Sequence, residues 1–385
     1  MRRLSHRLAA TLLGLAALLG LPAAAQAADV ATGPLGGPLL GSAGLVVAPG
    51  TAAPPNIKAK AFVLVDATTG TVLAAQDAHG RFRPASTLKT LTAVTLLPLL
   101  DPATVYTAVY DDAAAEGSKA GIVPGGTYTV DQLFDAMLLP SGNDGAHALA
   151  EVAGGVPTTV AMMNETARRL QADDTHAVNP SGLDADGQLT SAYDLVLIAR
   201  AGLQRSDFRS YVSRKVADFP GVMPKTPGAA RGTFKIYNQN RLLQDGYPGA
   251  VGVKTGYTTL AGRTFVGAAE RNGHLLIVSV IQPAGLTEPA AKALLDWGFA
   301  HLSTPGVGRL VDPLTSSSAA TPRRTANAVT AGINPPRSGS SVGSWASRAG
   351  AVVLLAGLGL VGYAAVHRRI LRRRYARSRS PLRRY

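Results

Sequence analysis

Arg83-Pro-Ala-Ser-Thr-Leu-Lys-Thr-Leu-Thr-Ala93 sets a serine, Ser86, three residues before a lysine, Lys89, at the head of an apolar run that lasts to about Leu97. A helix over this run brings positions i and i+3 to one face, so Lys89 reaches Ser86 with no loop to position it. A serine hydroxyl is a weak nucleophile until a neighbouring base takes its proton. A lysine becomes such a base when burial and a second cation lower its proton affinity. The helix start adds the positive end of the macrodipole, which favours an oxyanion developing at Ser86. Alone, Ser-x-x-Lys is common and reads as a helix cap beside a solvated lysine.

Two distant segments change that weighting. Ser141-Gly142-Asn143 falls in a turn between two helical patterns, and Lys254-Thr255-Gly256 ends a strand pattern. Lys254 supplies the second cation. Ser141 can relay a proton to a leaving amine, and Asn143 can donate to a substrate amide. A strand ending in Thr-Gly can add an extended peptide to its open edge, with Gly256 allowing close backbone approach. Lys254 and Thr255 then offer charge and a hydroxyl to a carboxylate. The bland alternatives are turn chemistry for Ser141 and Asn143 and an edge-protecting lysine for Lys254.

Outward from these motifs, Ala61–Val65 and Thr71–Ala75 flank the turn Ala67–Gly70 and predict a strand hairpin. Thr129-x-x-Gln132 is a capping box ahead of Leu133, Phe134, Met137 and Leu138. Helices are expected over about Asp144–Val152, Pro157–Gln171, Ser191–Leu203 and Glu288–Leu302, with strands over Ala250–Gly256, Arg263–Ala269 and Leu275–Ile281. Strands at both ends with helices between indicate an α+β fold, one antiparallel sheet covered by helices.

The ends of the chain argue for export. Arg2, Arg3 and Arg7 surround the approach to an apolar run, Leu8–Leu21, followed by the small-x-small Ala25-Gln26-Ala27. This is the layout of a secretory signal peptide over residues 1–27. Residues 28–55 read as an extended leader, 56–305 as the catalytic domain and 306–348 as a flexible stalk of small and polar residues. Residues 349–366 are uninterruptedly apolar; about eighteen residues reach about 27 Å, enough for one transmembrane helix. Residues 367–385 carry nine arginines, which puts this tail in the cytoplasm and the catalytic domain outside.

Charge follows the same division. The formal net charge is +14, yet three arginines lie in the signal and nine in the tail, leaving +2 for the residues between. The basic excess therefore suits membrane lipid rather than nucleic acid. The chain has no cysteine, which removes disulfides, thiolate chemistry and Cys-based metal sites. His176 and His274 have no partners at ligand spacing, so no metal or other cofactor is expected.

The three motif segments, with Asn179-Pro-Ser-Gly-Leu183 and Tyr237-Asn-Gln-Asn-Arg-Leu-Leu243, closely resemble the serine-type D-alanyl-D-alanine carboxypeptidases, the low-molecular-mass penicillin-binding proteins. The resemblance runs from about Asn56 to Leu302. It implies the β-lactamase/DD-peptidase-like transpeptidase fold, with Ser86 as acylated nucleophile and Lys89 as general base. It also implies proton relay by Ser141 and Lys254, and substrate binding by Asn143, Thr255, Gly256 and Tyr257. The oxyanion hole would be the backbone N–H groups of Ser86 and Tyr257. The implied substrate is a peptidoglycan stem peptide ending in D-Ala-D-Ala, and β-lactam antibiotics would acylate the same serine.

Two departures stand out. No second β-rich domain follows the catalytic one. The arginine that some members use for the terminal carboxylate has no counterpart in Gln282-Pro-Ala-Gly-Leu-Thr-Glu-Pro289. Three other readings share the motifs. A class A-like β-lactamase needs a glutamate for deacylation, and none stands in a recognisable setting between Glu165 and Asp194. A D,D-endopeptidase would use the same acyl-enzyme. An inactive, membrane-tethered wall-binding scaffold would not need all three motifs intact.

Overall fold

The computed structural model describes residues 33–226 and 228–314. The signal, most of the stalk, the apolar stretch 349–366 and the arginine-rich tail lie outside the described residues. Among the described residues no helix is long and apolar enough to cross a membrane.

The strands are β1 (Leu45–Val47), β2 (Ala61–Asp66), β3 (Thr71–Gln76), β4 (Val105–Thr107), β5 (Thr127–Thr129), β6 (Val216–Pro220), β7 (Thr233–Tyr237), β8 (Ala250–Thr258), β9 (Gly262–Arg271), β10 (His274–Ile281) and β11 (Gly308–Arg309). The helices are α1 (Lys89–Leu96), α2 (Tyr110–Ala114), α3 (Val130–Leu138), α4 (Asn143–Val152), α5 (Val156–Arg169), α6 (Ala192–Leu203), α7 (Ser206–Ser213), α8 (Arg241–Gln244) and α9 (Thr287–Ala300).

The main sheet is antiparallel, in the order β1-β3-β2-β10-β9-β8, with β11 also pairing with β3. Both of its faces are covered. Along β2, alternate side chains go to opposite faces: Phe62 and Leu64 join Leu294, Leu295 and Trp297 of α9 in one core, and Val63 and Val65 join Leu91, Phe134 and Ile198 in the other. This double burial is why Ala61–Val65 reads as a continuous apolar run rather than an alternating one.

The α+β architecture and the antiparallel sheet agree with the sequence reading, and differences appear at the margins. Leu45–Val47, inside the expected extended leader, pairs with β3. Gly308–Arg309, beyond the expected domain end, pairs with it too. Three-residue and two-residue strands carry too few positions to show a period. The hairpin β6–β7, the pair β4–β5 and the short helices α2, α7 and α8 were not anticipated.

β8 is the last strand of the path, and the 3-10 turn Ala85–Leu88 that leads into α1 packs beside it. The candidate site forms where β8, this turn and the head of α4 meet.

Candidate active site

The Ser-x-x-Lys segment is not one uniform helix. Ala85–Leu88 is a 3-10 turn, and α-helical geometry begins at Lys89. Thr87 Oγ1 and Thr264 Oγ1 of β9 both donate to the Pro84 carbonyl, at 2.6 and 2.8 Å, which pins the turn to the sheet. Gly256 faces this turn. A Cβ there would lie 2.3 Å from Thr264 Oγ1 and 3.0 Å from the backbone nitrogens of Ser86 and Thr87. A side chain at this position would push the Ser86 turn off β8.

Lys89 is completely buried. Its Nζ lies 3.0 Å from Ser86 Oγ, 2.6 Å from Asn143 Oδ1 and 2.7 Å from the Ser181 carbonyl. Burial, reinforced by the charge of Lys254, holds its proton affinity well below that of a free lysine, while Asp144 opposes the effect. Two of the three partners can only accept. A neutral Lys89 therefore gives its two N–H groups to Asn143 Oδ1 and Ser181 O, and turns its lone pair to the one partner that can donate, the Ser86 hydroxyl. The hydrogen-bond inventory itself prepares Lys89 to act as a base.

Lys254, on β8, is also buried, and burial lowers its pKa to about 7. Its Nζ donates to the Thr255 carbonyl at 3.0 Å. Its register partner is Val266, whereas Thr255 pairs with Phe265, so the side chains of Lys254 and Thr255 alternate to opposite faces of β8.

α3 is started by the expected capping box: Gln132 N donates to Thr129 Oγ1 at 3.2 Å and Thr129 N to Gln132 Oε1 at 3.0 Å. The chain then turns through Ser141, which is buried and left-handed (φ +65), and enters α4 at Asn143. Asn143 binds the wall opposite β8. Its Nδ2 donates to Glu116 O at 2.5 Å and its N–H to Ser118 O at 2.7 Å. The next residue, Asp144, is buried and accepts from the N–H groups of Ala120, Gly121 and Ile122 at 2.9, 2.9 and 3.1 Å. Further back, Asp112 of α2 accepts from Tyr106, from the Val109 N–H and from His147 of α4. The wall is thus fastened to the helix that carries Asn143.

The third side is Asn179–Leu183. Asn179 Oδ1 accepts from Ser181 N and Gly182 N, and its Nδ2 donates to Leu183 O at 2.8 Å. This closed loop aims the Ser181 carbonyl at Lys89.

Together these elements enclose a cleft of about 310 Å³, lined by Ser86, Glu116–Ser118, Asn143, Leu183, Asp184 and Tyr257–Thr259. Of the residues singled out from sequence, Ser86, Asn143 and Tyr257 line the cleft. Lys89 joins it through Ser86 and Asn143, and Lys254 acts on Lys89 through its charge. Gly256 packs behind the serine. Ser141 is buried just before Asn143, and Thr255 is not part of the lining. The Ser181 carbonyl, Asp144, Glu116 and Thr264 were not anticipated. The first acts through its backbone, which no residue type announces. The signal for Asp144 was its place directly after the Ser-Gly-Asn triplet. Among the described residues no cluster of three or more histidines or acids could hold a metal ion.

Residues 48–284 match the family model of peptidase S11, D-alanyl-D-alanine carboxypeptidase. The chain is 41% identical over 263 residues to the D-alanyl-D-alanine carboxypeptidase DacB2 of Mycobacterium tuberculosis, covering 66% of this chain and 87% of that protein. It is 33% identical over 267 residues to the D-alanyl-D-alanine carboxypeptidase DacD of Salmonella typhimurium, spanning 65% of each, so just under two thirds of that longer relative is matched. Among solved structures, a D-alanyl-D-alanine carboxypeptidase from M. tuberculosis superposes with a TM-score of 0.64 at 40% identity, over 69% of this chain and 100% of the other. The Streptomyces K15 DD-transpeptidase superposes at 0.61 and 30% identity, over 65% and 100%.

Proposed function

The chain belongs to the D-alanyl-D-alanine carboxypeptidase family, peptidase S11, and from that membership we propose how its own residues remove the terminal D-alanine of a peptidoglycan stem peptide. The enzyme is a serine peptidase of this family, whose members act on D-Ala-D-Ala peptides and bind β-lactams. The observation that carries the mechanism is the buried Nζ of Lys89, 3.0 Å from Ser86 Oγ with its other two contacts on obligate acceptors.

The stem peptide lies extended along the edge of β8 with its penultimate D-alanine carbonyl over Ser86. Neutral Lys89 takes the hydroxyl proton as Oγ bonds to that carbon. The N–H groups of Ser86 and Tyr257 receive the oxyanion. Asn143 keeps one amide N–H on Glu116 O and offers the other to the peptide backbone. When the C–N bond breaks, Ser141 and Lys254 pass a proton to the departing D-alanine amine. Water then hydrolyses the ester and restores Ser86. Among the described residues the side chain hydrogen-bonded to Ser86 Oγ is Lys89, at 3.0 Å, which supports Lys89 rather than a carboxylate as the base for acylation.

The sequence beyond the catalytic domain supports a place for this chemistry. The signal over 1–27 exports the chain, and residues 349–366 anchor it in the plasma membrane with the catalytic domain outside and the arginines of 367–385 against cytoplasmic lipid.

The test is intact-mass analysis of the full chain with a penicillin, and D-alanine release from a D-Ala-D-Ala peptide, with Ser86→Ala alongside. A lasting adduct and D-alanine release, both lost in the variant, support the reading. Rapid loss of penicillin with no adduct replaces it with a β-lactamase, and no reaction at all with a binding scaffold.

A further inference from the structure

The cleft beside Ser86 carries two charged lining residues, Glu116 and Asp184, and both are acids. Their situations differ. Asp184 is engaged: Oδ1 accepts from Thr258 Oγ1 at 2.8 Å, and Oδ2 faces Leu260 N at 3.4 Å. The Glu116 carboxylate accepts no hydrogen bond and no ion pair from any described residue, while its backbone is fixed by Asn143 Nδ2 at 2.5 Å. The nearest cation in sequence, Lys119, is turned away and donates to the Ala113 carbonyl. Glu116 therefore stands on an anchored backbone, in the wall of the cleft, with its charge uncommitted.

Its position along the bound peptide follows from its anchor. Asn143 bonds to Lys89 on one side and to Glu116 O on the other. A peptide whose scissile carbonyl sits at Ser86 and whose backbone passes Asn143 carries its upstream residue toward Glu116. The floor of the site carries amines instead: Lys89, which acts as the neutral base, and Lys254 are both buried. The cleft is thus asymmetric, with basic amines beneath the reacting carbonyl, of which Lys254 is the one left to carry charge, and an anion at the upstream wall. A peptide of complementary polarity has a carboxylate at its C-terminus and an ammonium on the side chain preceding the two D-alanines.

We propose that Glu116 is a specificity-determining residue that selects donor peptides bearing a free side-chain ammonium immediately upstream of D-Ala-D-Ala, and discriminates against peptides in which that amine is acylated. This rests on the carboxypeptidase reading and names a preference within the same cleft. Acylation removes the positive charge and the ammonium donors and leaves the Glu116 carboxylate with an uncharged amide. Because Glu116 is solvent-exposed, the discrimination is that of an exposed ion pair, about two- to five-fold in kcat/KM, and it weakens as salt shortens the Debye length.

The experiment uses the full chain and two peptides, Nα-acetyl-L-Lys-D-Ala-D-Ala with a free ε-amine and its Nε-acetylated counterpart. D-alanine release is measured for each with wild type, Glu116→Gln and Glu116→Lys. The ratio of the two rates within one preparation is independent of how much protein is correctly folded. The expected wild-type ratio favours the free amine about two- to five-fold, falls to about one in Glu116→Gln and inverts in Glu116→Lys. Equal rates in the wild type, or an unchanged ratio in both variants, overturn the assignment of Glu116 while leaving the carboxypeptidase reading intact. Absence of D-alanine release from either peptide, with no penicillin adduct on the wild type, overturns the carboxypeptidase reading and the proposal with it.

Discussion

Gly182 and Ala85 approach each other so closely that a Cβ built on Gly182 would lie 1.8 Å from the Ala85 carbonyl oxygen. Both residues are left-handed, at φ +84 and +49. The contact joins the loop that presents the Ser181 carbonyl to the turn that presents Ser86. Gly182→Ala must therefore move one of two catalytic segments and also places a side chain at positive φ, which alone costs about 1–2 kcal/mol. The expected outcome is a destabilisation of at least that size in denaturant melts, with a fall in penicillin acylation rate larger than the loss of folded protein explains. Wild-type acylation in a folded Gly182→Ala variant would show that the Ser181 carbonyl is dispensable for placing Lys89.

Ser86→Ala removes the hydroxyl that Lys89 Nζ meets at 3.0 Å, but leaves Lys89 bonded to Asn143 Oδ1 and Ser181 O. Those two bonds keep the buried nitrogen satisfied. The variant is expected to melt within about 1 kcal/mol of wild type and to form no adduct with penicillin. An adduct on this variant, seen by intact mass, would move the nucleophile to another residue.

Much of this was legible in the sequence, and the limits have physical causes. Ser86, Lys89 and Asn143 were readable as one cluster because their side chains are held at a fixed helical or turn spacing, and Lys89 Nζ meets both of the others. The Thr129–Gln132 capping box was readable because both of its bonds are local. The closure of the site depends instead on main-chain groups: the Ser181 carbonyl, the Pro84 carbonyl held by Thr87 and Thr264, and the N–H groups of Ala120 to Ile122 on Asp144. Any residue type supplies those groups, so sequence carries no mark of them. Thr255 shows the converse. Its residue type offers a hydroxyl to a carboxylate, but the face of β8 on which it lies, opposite that of Lys254, follows from its pairing with Phe265 and so from the register of two strands.

Lys254 also gives stability a pH dependence. Its folded pKa, about 7, lies below the 10.5 of a free lysine. Between those values the unfolded chain binds more protons than the folded one, so unfolding free energy rises with pH across that window. Lys89 contributes in the same direction. Replacing Lys254 with methionine, which keeps the stem and removes the titrating group, is expected to flatten the rise between about pH 7 and 10. Urea melts at four or five pH values measure the slope. A slope unchanged by Lys254→Met would mean that the lysine is solvated in the folded protein.

Two charges pull on Lys89 in opposite directions: Lys254 lowers its proton affinity and Asp144 raises it. In the proposed mechanism acylation requires the neutral amine, so the acylation rate with penicillin is expected to rise with pH through the Lys89 ionisation. Lys254→Met removes the like charge and should move that rising limb to higher pH. Asp144→Asn removes the attraction and should move it to lower pH. The second variant also loses a carboxylate that accepts from Ala120, Gly121 and Ile122, and an amide cannot accept from all three with its –NH₂ facing one of them. A destabilisation of about 2–4 kcal/mol and a slower maximum rate are expected with it. The position of the limb is independent of that loss, because a smaller active fraction scales the profile without shifting it. Opposite displacements of the two limbs, read from stopped-flow acylation profiles, identify Lys89 as the titrating base. Displacements of the same sign would assign the limb to another group.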